Sequence, residues 1–424
     1  MFKSPRILRK GRKLSGTFIC RNFSGRQESS VVFTWGLGTD GQLGHKNFES
    51  KTGILGDNYY TQEEPRKLMK SKRFAQVAVG GTFTYALTHD GDLFGWGKDF
   101  LKYGDKVQSN EPVPIEIPEG KKIVSVSAGL KHCAAIDVDG QVYTWGEGGS
   151  WYSGGGQLGH GSRSAEPFPK LVQSFRQYGA LARQVSCGGS HTLLLTHELE
   201  VLSCGVGEYG RLGTGSKVDA LQPTPLTLLA DDDILQVAAG FDHSLALSRA
   251  GRIYSWGRNH LGQLGHSDSN LDLYSLEDLP RIVETNTLAD EEQQDRHVEL
   301  VFRQIAAGNG RSAAVTSEGE LFVWGNRLAH QPKRFPSSLF GGQKVLQVAI
   351  GGDSSRSAVA VVTENGELWT FGDSKSCILG KKGLSGKQPL PLHVELKNSD
   401  DRVLSVASGL GQHMAAFVHM PNES

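Results

Sequence analysis

One spacing constrains this chain more than any other property. From a glycine that closes a short apolar run to the aromatic residue or cysteine before the next glycine is 16 residues in five places: Gly80–Trp96, Gly129–Trp145, Gly188–Cys204, Gly240–Trp256 and Gly308–Trp324. A sixth, Gly351–Phe371, carries four more. The unit is clearest from Val237 to Gly257. Other copies begin at Val77, Val126, Val185, Ile305 and Val348, and a half-copy runs from Val406 to His419. A chain of 424 residues would ordinarily divide into two or three domains. A repeat of this length lets one closed ring use nearly all of it.

Within each copy, apolar and polar residues alternate over short runs bounded by turn residues, the period of β-strands. Asp90-Gly91, Asp139-Gly140, Glu318-Gly319 and Asn365-Gly366 separate two such runs, which predicts two-residue hairpin turns with positive φ. A glycine-rich loop follows each Trp-Gly, then a Pro-containing segment such as Pro223–Leu226, then the next strand. About four strands per unit is the composition of a propeller blade. The 54 glycines, without a collagen period, suit an all-β fold with many tight turns. Val31–Gly36 holds the outgoing half of a unit and Val403–His419 the incoming half, so the two ends complete each other. The expectation is an all-β, seven-bladed β-propeller over residues 31–419, its last blade closed by the N-terminal strand, between a basic tail at 1–30 and a C-terminal tail at 420–424.

The balanced total of 45 basic and 45 acidic residues hides an asymmetry. Residues 1–30 hold eight Lys/Arg against Glu28, leaving 37 basic and 44 acidic residues, a net of −7, for the remainder. An Arg-rich, acid-poor start containing Ser fits an organelle transit peptide. Phe2, Ile7, Leu8, Leu14, Phe18 and Ile19 among the charges suit an amphipathic helix, and Arg21-Asn22-Phe23-Ser24 resembles a mitochondrial processing site that would leave Ser24 first. The mitochondrial matrix is the expected location. The cluster Arg9–Lys13 keeps a nuclear arm open as the alternative, and a plastid is a third. No apolar run approaches the ~20 residues that span a bilayer. Five cysteines without a C-x-x-C spacing point to free thiols in a reducing compartment.

The unit resembles the regulator-of-chromosome-condensation repeat, most visibly in Gly41-Gln-Leu-Gly-His45, Gly156-Gln-Leu-Gly-His160 and Gly262-Gln-Leu-Gly-His266. The resemblance covers residues 31–419 and implies the propeller fold. It says less about function, because that family includes a Ran nucleotide exchanger, a plant ultraviolet-B photoreceptor and organelle RNA or ribosome assembly factors. The photoreceptor's pattern of Trp and Arg in the Gly-x-x-His slot is not matched by Phe83, His132, His191, His243 and Arg311.

Several motifs reduce to the repeat. Gly36–Gly41 and Gly205–Gly210 match G-x-G-x-x-G, but a pyrophosphate site needs a following helix and an all-β repeat supplies only turns. His132, His191 and His243 recur in register and are expected to hydrogen-bond backbone between strands, since equivalent positions in different blades do not converge on a metal. No catalytic set, metal site or cofactor is expected.

Departures from the repeat are more informative, because insertions map to loops. Trp145 to Gln157 is 12 residues where Trp35 to Gln42 and Trp256 to Gln263 are seven. The extra residues place Trp151, Tyr152 and Ser153 on a glycine-rich loop, an expected partner contact. The alternative is a loop folded back on its own blade. The Ran exchanger similarly carries a nucleotide-displacing wedge in such a loop, but its residues are not matched. A second candidate is the basic run Arg66, Lys67, Lys70, Lys72 and Arg73, which merges with Lys375, Lys381, Lys382 and Lys387 if the neighbouring blade brings them together. RNA contact is one reading of that run and a solvated surface the other. Residues 266–300 hold ten acids against Arg281 and Arg296, either a solvated loop or a lure for a basic partner.

The function expected is that of a monomeric mitochondrial interaction scaffold, not an enzyme with its own active site. It would bind protein partners, a mitochondrial ribonucleoprotein foremost, in support of organelle RNA processing or ribosome assembly. The alternative is a guanine-nucleotide exchange factor for a small GTPase.

Overall fold

The computed structural model describes residues 30–46, 51–52, 58–68, 73–101, 107–150, 154–267, 275–285, 300–326, 328–353, 357–396, 398 and 400–421. Alternation of apolar and polar residues produces seven four-stranded antiparallel sheets among them, one per repeat. Blade 1 is Phe74–Val79, Phe83–Thr88, Leu93–Lys98 and Gln108–Ile115, from the inside outward. Blades 2 to 6 repeat that order and begin at Ile123, Ala182, Ile234, Phe302 and Val345. Each blade packs its first two strands on its neighbour, and blade 7 returns to blade 1, so the ring closes.

Blade 7 is built from both ends of the chain. Arg402–Ser408 and His413–His419 supply its inner half, and Ser30–Leu37 and Thr61–Lys67 its outer half. Trp35 pairs with Met414 and Val31 with Val418. The sequence had suggested one closing strand. The second, Thr61–Lys67, reads as a polar segment because its burial is only partial along its whole length.

The hairpin turns differ from the expectation. In blade 1 the Thr88 N–H donates to the Asp92 carbonyl (2.9 Å) and Gly91 N–H to the Thr88 carbonyl (3.1 Å), closing a three-residue loop. Only the glycine is left-handed, at φ 82° for Gly91 and 73°, 85° and 77° for Gly140, Gly319 and Gly366. A three-residue loop with a left-handed glycine is the next most common hairpin connection after the two-residue form.

The Trp-Gly glycine is fixed by space. Gly97 has φ 104°, and a Cβ there would lie 2.4 Å from the Thr82 carbonyl oxygen; at Gly36 the corresponding contact is 2.5 Å from Gln412 O. The preceding tryptophans, Trp35, Trp96, Trp145, Trp256 and Trp324, are fully buried between blades.

Two devices bridge the boundaries between blades. A glutamine on the innermost strand pairs with the backbone of the next blade as a strand residue would: Gln76 Nε2 donates to Val126 O (3.0 Å) and Val126 N–H to Gln76 Oε1 (3.1 Å). Gln184, Gln236, Gln304 and Gln347 repeat this with Val237, Ile305, Val348 and Val406. The second device uses the recurring histidine. His413 Nε2 meets Thr84 Oγ1 of the next blade at 2.9 Å, and Thr84 donates to Gln42 O at 2.8 Å, the same carbonyl that accepts from Trp96 Nε1. His132–Thr192–Gln157, His191–Ser244–Arg211 and His243–Ser312–Gln263 repeat the relay. These histidines thus bond side-chain hydroxyls of the next blade, where backbone between strands was expected, because the slot faces that blade.

Candidate functional site

Alternating strand direction sorts every connection to one end of the ring. Connections from third to fourth strand, after each Trp-Gly, share one end with those from first to second strand; we call this the loop face. Second-to-third turns and crossings to the next blade share the other, the turn face.

The insertion after Trp145 leaves blade 2 on the loop face. Its two limbs form a small antiparallel ladder, Gly149 opposite Gly155 and Ser150 opposite Gly154, the base of a hairpin. Gly149, Gly154 and Gly156 have φ 113°, 74° and 102°, conformations other residues rarely adopt. Trp151, Tyr152 and Ser153, the residues between the limbs, lie outside the described residues. The hairpin base is tied to blade 3. Asp219 Oδ2 accepts from Gly155 N–H and from the Arg163 guanidinium, each at 3.0 Å, and Asp219 Oδ1 from Gly207 N–H at 3.0 Å.

Beside that base stands a group the sequence did not single out. Tyr209 lies in the turn Gly205–Gly210 with φ 60°, a left-handed conformation uncommon for a tyrosine. The Arg258 guanidinium covers its ring at 4.2 Å from the centroid. Asp242 receives both Arg211 (3.1 Å) and Arg258 (3.2 Å), joining blades 3 and 4 at the loop face. The signal available was a tyrosine in the slot held by Asp40 in blade 7 and Leu261 in blade 4. Both G-x-G-x-x-G segments are turns, and no α-helix follows either, the one α-helix among the described residues being Gln173–Tyr178.

The basic run is elsewhere. Arg66 and Lys67 end the outer strand of blade 7 at the turn face, and Arg73, exposed, precedes the first strand of blade 1; Lys70 and Lys72 lie outside the described residues. Arg66 donates to the Tyr60 hydroxyl at 3.4 Å. Lys375 sits in a turn of blade 6 that packs on Ser30–Leu37 and Thr61–Lys67 from the loop face, where Ser376 bonds Gln412. Lys375 therefore lies at the opposite end of the ring from Arg66 and Lys67, whereas Lys381 Nζ reaches His393 O (3.3 Å) near the turn-face end of Lys387–Val394, the outer strand of blade 6. Leu276–Ile282 begins at the loop face and ends at the turn face, so the acidic stretch of residues 266–300 runs from one end of the ring to the other, and only its part after Ile282 leaves from the face opposite the hairpin; residues 268–274 and 286–299 lie outside the described residues.

The axial channel, about 240 Å³, is lined by the innermost strands. The side chains there are small or amide, such as Ala128, Ala239, Ser408 and Gln236, and none is charged. Among the described residues no three His, Cys, Asp or Glu side chains converge as metal ligands. Cys133, Cys187 and Cys204 are buried and unpaired, and burial pushes the Cys187 thiol up to about 12, away from nucleophilic use. What the loop face presents among the described residues is the paired base of the blade 2 insertion and a tyrosine backed by Arg258.

Comparison with known proteins agrees with this architecture. The chain is 29% identical to the ultraviolet-B receptor UVR8 of Arabidopsis thaliana over 405 residues, covering 91% of this chain and 80% of that one. It is 33% identical over 312 residues to the mitochondrial RCC1 domain-containing protein RUG3 of the same plant, covering 72% of this chain and 63% of the other, so it spans less than two thirds of that relative. The crystal structure of human WBSCR16 superposes with a TM-score of 0.75 at 27% identity, over 92% of this chain and 98% of that one. The RCC1-like domain profile matches residues 26–332, and the chain belongs to the RCC1-like domain family.

Proposed function

We propose that this protein is an interaction scaffold of the mitochondrial matrix that supports organelle RNA processing or ribosome assembly by presenting its loop face to a protein partner. The observation that carries the reading is the blade 2 hairpin. It breaks the seven-residue spacing kept by Trp35 to Gln42 and Trp256 to Gln263, inserts aromatics among glycines, and is tied down at its base. Solvated loops need no such tie. Three supports accompany it: the eight-to-one basic excess of residues 1–30, the similarity to a relative named as mitochondrial, and the organelle assembly factors of the family. The basic run Arg66–Arg73 is a weaker, second candidate contact for RNA phosphates, a solvated surface being the reading the net charge of −7 favours.

The test is affinity purification of the tagged protein from isolated mitochondria, with and without ribonuclease, beside the double variant Trp151→Ala, Tyr152→Ala. Aromatic anchors at interface centres commonly contribute more than ~2 kcal/mol, so recovery of specific partners should fall steeply. The melting temperature should stay near the parent's, because exposed loop changes cost within about 0.5 kcal/mol. Lowered stability with an unaltered partner set would return the loop to packing. Amino-terminal sequencing checks the location: a mature chain beginning near Ser24 is expected, and an intact Met1 in a nuclear fraction overturns it. The alternative reading is exchange on a small GTPase, since the Ran exchanger carries its wedge in a similarly placed loop, although its residues are not matched here. Accelerated release of labelled GDP from a co-purifying small GTPase, lost in the double variant, would replace the scaffold reading with exchange activity.

A further inference from the structure

In several blades the connection from third to fourth strand reaches over the next boundary: Gln42, Gln157 and Gln263 give their carbonyls to the hydroxyls of Thr84, Thr192 and Ser312. Blade 5 lacks that cover. Its fourth strand, Ala329–Phe335, begins five residues after Trp324, with no Gln-Leu-Gly between. Blade 6 is built to match. Phe371 stands where a tryptophan would donate to such a carbonyl, and Val359 stands in place of the hydroxyl. The histidine slot facing this boundary holds Arg311, for which the relay has no use.

Arg311 is only 8% exposed. The one hydrogen bond its side chain makes is long, from Nη1 to Ser357 O at 3.5 Å, and its Nε meets no acceptor. Burial lowers its pKa to about 10 with no charged neighbour contributing, so the guanidinium stays protonated at neutral pH. A buried charge without a partner is costly, and folded proteins pair such charges. The Ser357 hydroxyl is likewise buried without a hydrogen-bond partner. Nε and Nη2 lie on one edge of the guanidinium plane, the edge that grips two oxygens of a single anion. A carboxylate would be used up by that fork. A phosphate keeps a third oxygen for the serine hydroxyl. Residues 327 and 354–356 lie outside the described residues, and none is assigned to the site.

We propose that Arg311 and Ser357 form a phosphate-binding site at the loop-face end of the boundary between blades 5 and 6, taking free phosphate or the terminal phosphate of a small molecule. The depth of both groups suits a terminal group and not the continuous backbone of a nucleic acid. The anion neutralises the guanidinium and satisfies both orphaned groups together. The site is independent of the blade 2 hairpin.

The test is thermal unfolding of the full chain at neutral pH, with inorganic phosphate replacing chloride at constant ionic strength. The parent midpoint should climb with the logarithm of phosphate, by about 1–2 °C for each tenfold excess over Kd. Calorimetric titration reads Kd itself. Arg311→Lys, whose ammonium cannot fork, should weaken binding roughly tenfold or more, and Arg311→Gln should abolish it. Ser357→Ala should weaken it by roughly threefold to tenfold, and serves if the arginine variants do not fold. Glycerol phosphate binding more tightly than inorganic phosphate assigns the site to a terminal phosphate, and equal affinity assigns it to the free ion; both support the site. Acetate binding as tightly as phosphate overturns the choice of ligand. A linear rise shared by the parent and every variant is general salt exclusion and overturns the site, as does an affinity unchanged in Arg311→Gln or Ser357→Ala.

Discussion

Leu199 holds a left-handed backbone, φ 68°, at the turn position where Gly91, Gly140, Gly251, Gly319 and Gly366 stand in other blades. The turn is the same: Thr196 N–H reaches Glu200 O at 2.9 Å and Leu199 N–H reaches Thr196 O at 3.1 Å. A side chain in that conformation costs about 1–2 kcal/mol, part of which glycine returns through its greater freedom when unfolded. Leu199→Gly should therefore stabilise the protein by roughly 0.5–1 kcal/mol, read as a higher urea midpoint. A lower midpoint would mean that the half-buried leucine packs more than it strains. Tyr209 is strained in the same sense but lies on the loop face under Arg258, where strain more often accompanies function. At this scale the glycines were legible, because a repeat aligns them. The partners of Asp219 and Tyr209 were not, since they come from other repeats and no local period encodes them.

At the scale of the element, the two bridging devices divide the blade boundaries between them. Boundaries 3/4 and 4/5 have both. The glutamine bridge alone serves 1/2, 5/6 and 6/7, and the histidine relay alone serves 2/3 and 7/1. Ser125 and Ser405 replace glutamine where the relay stands alone. Where the histidine gives way to Phe83, Arg311 or Ala358, the hydroxyl opposite also gives way, to Cys133, Val359 or Met414. In each relay the hydroxyl gives its proton to a carbonyl, so the histidine Nε2 must carry one. Its Nδ1 is then buried with no hydrogen-bond partner. Burial accordingly lowers His413 and His243 to about 3 and His132 to about 4, and lowers His191 well below the usual value. These groups are neutral in the folded protein, whereas the unfolded chain takes up protons below pH 6.5. Stability contributed by their neutrality is complete above about pH 6.5 and lost as pH falls toward 4. The loss is on the order of 2 kcal/mol per histidine at pH 5. Urea unfolding between pH 7 and 5 should show this slope, and His413→Gln, which retains a donor to Thr84, should remove about one proton from it. An unchanged slope would mean that His413 titrates alike in both states.

The whole molecule depends on a closure the chain makes only when its two ends meet. Ser30–Leu37 pairs on one side with His413–His419 and on the other with Thr61–Lys67, and buries Trp35, whose Nε1 donates to Ile378 O of blade 6 at 2.8 Å. Deleting Val31–Gly36 should thus cost far more than one strand. It leaves Thr61–Lys67 without its neighbour, an open edge on His413–His419 and a gap in the ring. The expected loss is comparable to the roughly 5–15 kcal/mol that stabilises a folded domain, so cooperative thermal unfolding should disappear. A melting temperature equal to the parent's would show that blade 7 does not need this strand.

Periodicity alone determined the fold class, the number of blades and the sharing of blade 7, because burial of alternate residues on strands is a local property that a repeat writes seven times. The Trp-Gly and turn glycines belong to the same class, being set by backbone conformation at fixed offsets. Which insertions share an end of the ring was decided only in three dimensions. The hairpin emerges opposite Arg66, Lys67 and the segment that follows Ile282, and Lys375 opposite Arg66 and Lys67, because strand direction alternates while sequence distance does not record it. The tie of Asp219 to Gly155 and Arg163 likewise exists only because neighbouring blades bring together residues 64 and 56 positions apart in the chain, and those hydrogen bonds are made across that boundary.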